Sequence, residues 1–105
     1  MRVIPIHKTA SGLIWGGRCA IKSCVHGGDG VNDYELVIYD VATTPAGTET
    51  QVIPKSPFDA DVYGLNGSEK SGEGDCSNGA WLVITDVGGG AFSGSINVTI
   101  DIIPG

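Results

Sequence analysis

Basic residues are scarce in this sequence. Lys and Arg total six along 105 residues, against twelve Asp and Glu, for a formal net charge of −6. Phosphate backbones are held by clustered Lys and Arg, so no nucleic acid is expected as a partner. Long apolar runs are missing as well. A stretch such as residues 81–84 falls far short of the ~20 residues of a spanning helix, and no membrane partner is expected. Residues 1–7 begin basic but turn polar before an apolar core can form, so no secretory leader is expected and synthesis in a cytoplasm is. Histidine is limited to two residues and aromatics to 7%.

The three cysteines, Cys19, Cys24 and Cys76, are an odd number and include no Cys-x-x-Cys pair. That argues against a secreted disulfide framework and against a zinc knuckle. In an unbroken strand Cys19 and Cys24 have opposite parity and point to opposite faces. Either one could still reach Cys76, although a reducing compartment disfavours the bond. The expected state is three buried or half-buried free thiols.

What the sequence does have is glycine, 17 residues of it, and 41% hydrophobic residues arranged in short ordered runs. This is the composition of strands joined by many turns, and the length suits one domain over residues 1–105. The clearest strand is residues 95–102. Ile96, Val98, Ile100 and Ile102 alternate there with Ser95, Asn97, Thr99 and Asp101. Period two describes a half-buried strand, whereas a helix would scatter these side chains over every face.

The same reasoning predicts about eight strands. They cover residues 2–7 (an edge strand, because of Pro5), 13–15, 18–26, 34–41, 49–53, a weak one at 61–65, 80–86 and 95–103. The second and third could be continuous through a bulge at Gly16-Gly17. Residues 54–57 read as an irregular crossing, and 66–78 as a long polar loop that is mobile or contacts a partner. Turns are expected at 27–30, 43–47 and 88–90. The fold class is all-β, an antiparallel β-sandwich or jelly roll.

A search for chemistry finds no catalytic, cofactor-binding or metal site to assign. Cys24 and His26 lie two apart on one strand face, but no nucleophile signature surrounds them. Cys19, Cys24, His26 and Cys76 supply soft donors for zinc without the usual spacing. Asp29, Asn32 and Asp33 could offer oxygens to calcium, yet they are also ordinary turn residues and no Glu closes an EF-hand loop. The glycine clusters at 27–30 and 88–90 lack the Lys-Ser/Thr of a phosphate loop. Asp59 and Asp61, and Glu69, Glu73 and Asp75, read as solvated loop charges. Trp15, Tyr34, Tyr39, Tyr63 and Trp81 could build a carbohydrate platform. Alternatively, Tyr39 and Trp81 belong to the core or to a subunit interface.

The order of motifs carries a resemblance. Gly-Leu-Ile-Trp-Gly-Gly-Arg (12–18) is followed by a glycine-rich turn, then Leu36-Val37-Ile38-Tyr39-Asp40 and Thr44-Pro45-Ala46-Gly47-Thr48. Later come Tyr63-Gly64-Leu65-Asn66-Gly67, then Asn78-Gly79-Ala80-Trp81-Leu82-Val83, and a terminal strand of Ile-x-Val-x-Ile type. This order resembles small structural proteins of tailed-bacteriophage virions. The resemblance implies a non-enzymatic β-sandwich or jelly-roll subunit, often trimeric. Such a subunit decorates or cements the capsid surface against the major capsid protein after assembly in the host cytoplasm. It also leaves room for a receptor- or carbohydrate-binding module of a tail or fibre.

Overall fold

The structure is a computed structural model, and it describes residues 2–60 and 69–105. Among these residues the chain forms β1 (Ile4–Lys8), β2 (Gly12–Trp15), β3 (Cys19–Gly28), β4 (Tyr34–Tyr39) and β5 (Gln51–Phe58). It continues with β6 (Glu69–Ser71), β7 (Gly74–Cys76), β8 (Ala80–Thr85) and β9 (Ile96–Pro104). The fold is all-β, two antiparallel sheets packed as a sandwich. One sheet runs β1-β9-β3-β6, and β7 pairs the same strand, β3, as β6 does. β6 lies against Cys24–His26 and β7 against Cys19–Ile21, so the two share one lane and the sheet is four lanes wide. The other sheet runs β2-β8-β4-β5.

The pairing follows a simple rule. β1 pairs β9, β2 pairs β8, β3 pairs β6 and β7, and β4 pairs β5. The chain is therefore one long antiparallel ribbon doubled back on itself, with successive pieces laid alternately into the two sheets. The contacts β3–β9 and β4–β8 then close each sheet. This is the connectivity of a jelly roll.

The alternation read at 95–102 holds in place. Ile96, Val98, Ile100 and Ile102 are buried in the core, and Asn97 is exposed. Facing them from the other sheet are Ile14, Leu36, Ile38, Leu82 and Ile84. Pro5 does sit on an edge strand, since β1 pairs β9 alone in its sheet.

Several expectations are corrected. The 13–15 and 18–26 strands are not continuous, because β2 and β3 belong to different sheets and Gly16-Gly17 lies in the crossing between them. Residues 54–57 are not an irregular crossing. β5 continues through Pro54 and Pro57, with register shifts against β4 on either side of Ile53, and an edge strand tolerates the prolines because the missing N–H groups need no second partner. The polar loop expected at 66–78 contains β6 and β7, and both are short edge pieces that complete the first sheet. The weak strand at 61–65 lies outside the described residues.

The most consequential correction concerns parity. The β3–β9 register steps from Ile21↔Ile102 to Ser23↔Asp101, which leaves Lys22 as an extra, bulged residue. The bulge resets the alternation. Cys19, Ile21, Cys24 and His26 are all buried, so Cys19 and Cys24 share the inner face instead of opposing each other.

Candidate functional site

His26 and Cys24 sit next to each other on the inner face of β3, and burial shapes both. The His26 imidazole is lowered to about 4 by desolvation, so it is neutral near pH 7. Its Nδ1 shares a 2.6 Å hydrogen bond with the Tyr34 hydroxyl. The Tyr34 ring stacks on Phe58 at 4.6 Å between centroids, and Phe92 meets it edge-on at 5.5 Å. β4 and β5 position this cluster, since Tyr34 and Phe58 are a direct cross-strand pair. The Cys24 thiol is pushed up to about 12 by burial. A buried thiol beside a neutral imidazole inside an aromatic cluster is packing chemistry and does not make an activated nucleophile. His7 is elsewhere, on the outer face of β1, and its Nδ1 contacts Thr99 Oγ1 at 3.0 Å.

The four soft donors do not converge. Cys19 and Cys76 are a cross-strand pair at one end of β3. His26 lies about 20 Å along the same strand at ~3.3 Å per residue. Among the described residues no group of three or more His, Cys, Asp or Glu is placed to hold a metal ion.

The acidic side chains act as backbone clamps. Asp29 accepts N–H bonds from Val31 (2.9 Å), Asn32 (2.9 Å) and Ser95 (3.1 Å), and a fourth from the Asn32 amide (2.9 Å). These bonds hold its carboxyl well below the usual range. The carboxylate faces N–H donors, as a turn residue does. Gly94 presses against this clamp. A Cβ there would lie 2.5 Å from Asp29 Oδ2 and 2.7 Å from Phe92 Cζ.

Asp40, at the end of β4, accepts the N–H groups of Ser77 (3.1 Å), Asn78 (2.8 Å) and Gly79 (3.3 Å). Burial raises its pKa, but the three bonds outweigh that and the net shift is downward. Asp33 accepts from Ala60 N–H at 2.8 Å. Asp86 accepts from Gly90 N–H at 2.7 Å and closes the 86–90 turn, where Gly89 takes a positive φ of 87°. The long-range contacts of Asp29, Asp33 and Asp40 form no motif, because each joins a carboxylate to distant backbone groups and backbone leaves no mark in sequence.

Among the described residues the aromatics do not gather into one surface platform. Tyr34 is wholly buried in the core, Trp15 packs partly against it, and Tyr63 lies outside the described residues. Tyr39 and Trp81 are register partners. Neither belongs to the core cluster, and alternation puts both on the outer face of the second sheet, with Tyr39 buried and Trp81 half-buried. Leu13 stands opposite Trp81 and is 41% exposed. With Val83, these residues make an apolar stripe across that face. Two grooves also open on the surface. One of about 520 Å³ is lined by Arg18, Cys19, Asp75, Cys76, Ser77 and Pro104, among others. The other, of about 430 Å³, lies between the 9–11 and 91–94 connections, where Ser11 Oγ accepts from Ile84 N–H at 2.8 Å.

Comparison with protein-family models, with curated proteins and with solved structures returns no match. The functional reading therefore rests on the chain's own fold, surface and motif order.

Proposed function

We propose that this protein is a non-enzymatic structural part of a tailed-phage virion. In this reading it is a capsid decoration or cement protein that binds the major capsid protein and works as a homo-oligomer, a trimer being favoured. The observation that carries the reading is the strand order. An eight-lane jelly roll is an architecture used by viral capsid proteins, alongside lectins and cupins. Fold alone carries no function, so surface and chemistry have to agree with it. They do. The outer stripe of Leu13, Trp81 and Val83 is an apolar strip of the kind that a neighbouring subunit covers. Among the described residues, several groups that could do chemistry are engaged in holding the fold: His26 in the aromatic cluster, and Asp29, Asp40 and Asp86 on backbone N–H groups.

The test is binding to phage heads that lack the protein, followed by co-sedimentation. Saturable binding at a fixed ratio to the major capsid protein is expected. A stable monomer with no affinity for heads would overturn the proposal. The exposed edge of Trp81 beside Tyr39 favours a second reading, a receptor- or carbohydrate-binding module of a tail or fibre. Glycan-array binding that disappears in Trp81→Ala would select it.

A further inference from the structure

The bulge at Lys22 brings Cys19 onto the inner face of β3, directly opposite Cys76 on β7. Both side chains are buried, at 3% and 1% exposure, and their thiols share a hydrogen bond. Opposed residues of an antiparallel pair have Cα atoms about 4.5 or 5.5 Å apart, depending on the type of pair. Both spacings fall inside the 4.4–6.8 Å range of disulfides, so the backbone spacing permits a bond. All three cysteines are free thiols in this structure.

We propose that Cys19 and Cys76 are an oxidation site, a dithiol pair that closes into a cross-strand disulfide when the protein meets a small-molecule disulfide. The groove of about 520 Å³ lined by both cysteines, with Arg18 and Ser77 at its wall, gives such a molecule a place to approach. The exchange balances in two steps. One protein thiol loses its proton and attacks a sulfur of the small disulfide, which forms a mixed disulfide and expels one thiolate. The second protein thiol then gives up its proton and attacks the protein sulfur of that mixed disulfide, expelling the other thiolate. Two electrons pass from the protein to the oxidant, and the two protons leave with two small-molecule thiols. Burial raises both thiols, but it pushes Cys76 up to about 12 while the hydrogen bond from Cys76 offsets part of the rise at Cys19, so Cys19 starts the exchange from the groove.

The bond would fasten the outer lane of the first sheet. β7 is three residues long and, among the described residues, pairs only with β3, so a covalent tie there secures an edge that hydrogen bonds alone hold weakly. It would also link residues far apart in sequence, which restricts the unfolded chain. Cys24 is the internal control. It faces Ile100 and Ser71 in register and has no thiol opposite it.

The test is oxidation of the intact chain with oxidised glutathione, followed by intact mass, thiol counting after denaturation and peptide mapping. The expected product has lost two hydrogens, keeps one reactive thiol of the three and maps as Cys19–Cys76. Its Tm should rise on the order of 10 °C and fall back on reduction. Cys24→Ser should form the same bond. The mapping on the unaltered chain decides the matter even if Cys19→Ser or Cys76→Ser fails to fold. Three persistent thiols, stable glutathione adducts that never resolve, or a bond through Cys24 would each overturn the proposal. The result does not depend on phage-head binding, so this inference and the proposed function succeed or fail separately.

Discussion

Burial holds the His26 imidazole neutral, with its pKa lowered to about 4 from 6.5. An unfolded chain protonates this residue below about pH 6.5, and the folded chain refuses the proton until about pH 4. Stability therefore falls as pH drops through that window, by up to about 1.4 kcal/mol per pH unit, and His26 adds nothing above it. Urea midpoints measured at pH 7, 6 and 5 should show the slope, and His26→Gln should flatten it. Asp29, Asp40 and Glu49, the last accepting the N–H groups of Ala46 and Gly47, act in the same direction but lower. Their carboxyls are depressed from 3.8, 3.8 and 4.5, so the stability they lend is present above those values and is lost as pH falls further. Asp40 offers a separate test. Asp40→Ala removes three acceptor contacts from the 77–79 backbone and should cost about 1–2 kcal/mol in thermal or urea unfolding at pH 7. That loss should shrink as pH falls below 3.8, since the native carboxyl is held lower than the unfolded one.

At the scale of elements, the long alternating strands were legible in the sequence and the interruptions were not. β9 could be read residue by residue, because one face is buried and period two then fixes its register. β3 could not, because a bulge has no composition of its own. Lys22 reads like any exposed strand residue, yet it decides which way Cys19 and Ile21 face. Deleting Lys22 should therefore be severe. Removing the extra residue turns Cys19 and Ile21 to the outer face, and circular dichroism with thermal melting should show loss of the cooperative transition. Lys22→Ala keeps the bulge and should change the Tm by little, since the side chain is exposed. β6 and β7 escaped the sequence reading because glycine and polar residues form them. Their strand character comes from the open edge of β3 and owes little to local propensity. The second half of β5, beyond the expected strand at 49–53, escaped for the opposite reason. Its prolines argue against a strand in general, but an edge position admits them.

For the molecule as a whole, the jelly-roll ribbon and the apolar stripe on the second sheet are what the proposed assembled state rests on. The sequence showed a sandwich in outline. It could not show which strands cross between sheets, since that depends on pairings tens of residues apart, such as Ile4↔Ile102. It also could not place Trp81. A Trp in an apolar strand reads as core, and only the register with Leu13 and Tyr39 assigns it to the outer face. Leu13→Glu puts a charge on that stripe at an already exposed position. It should leave the melting temperature within about 0.5 kcal/mol equivalent of the parent. Self-association should weaken tenfold or more, read by light scattering over a dilution series.

The most direct measurement of the assembly role is electron cryo-microscopy of phage heads saturated with the protein, together with its solution mass. The account predicts β-sandwich density repeated at symmetry-related sites on the capsid surface, and a solution mass that is a multiple of the 10.8 kDa chain, with three copies favoured. Bare heads at saturating protein, together with a 10.8 kDa monomer at every concentration, would contradict it.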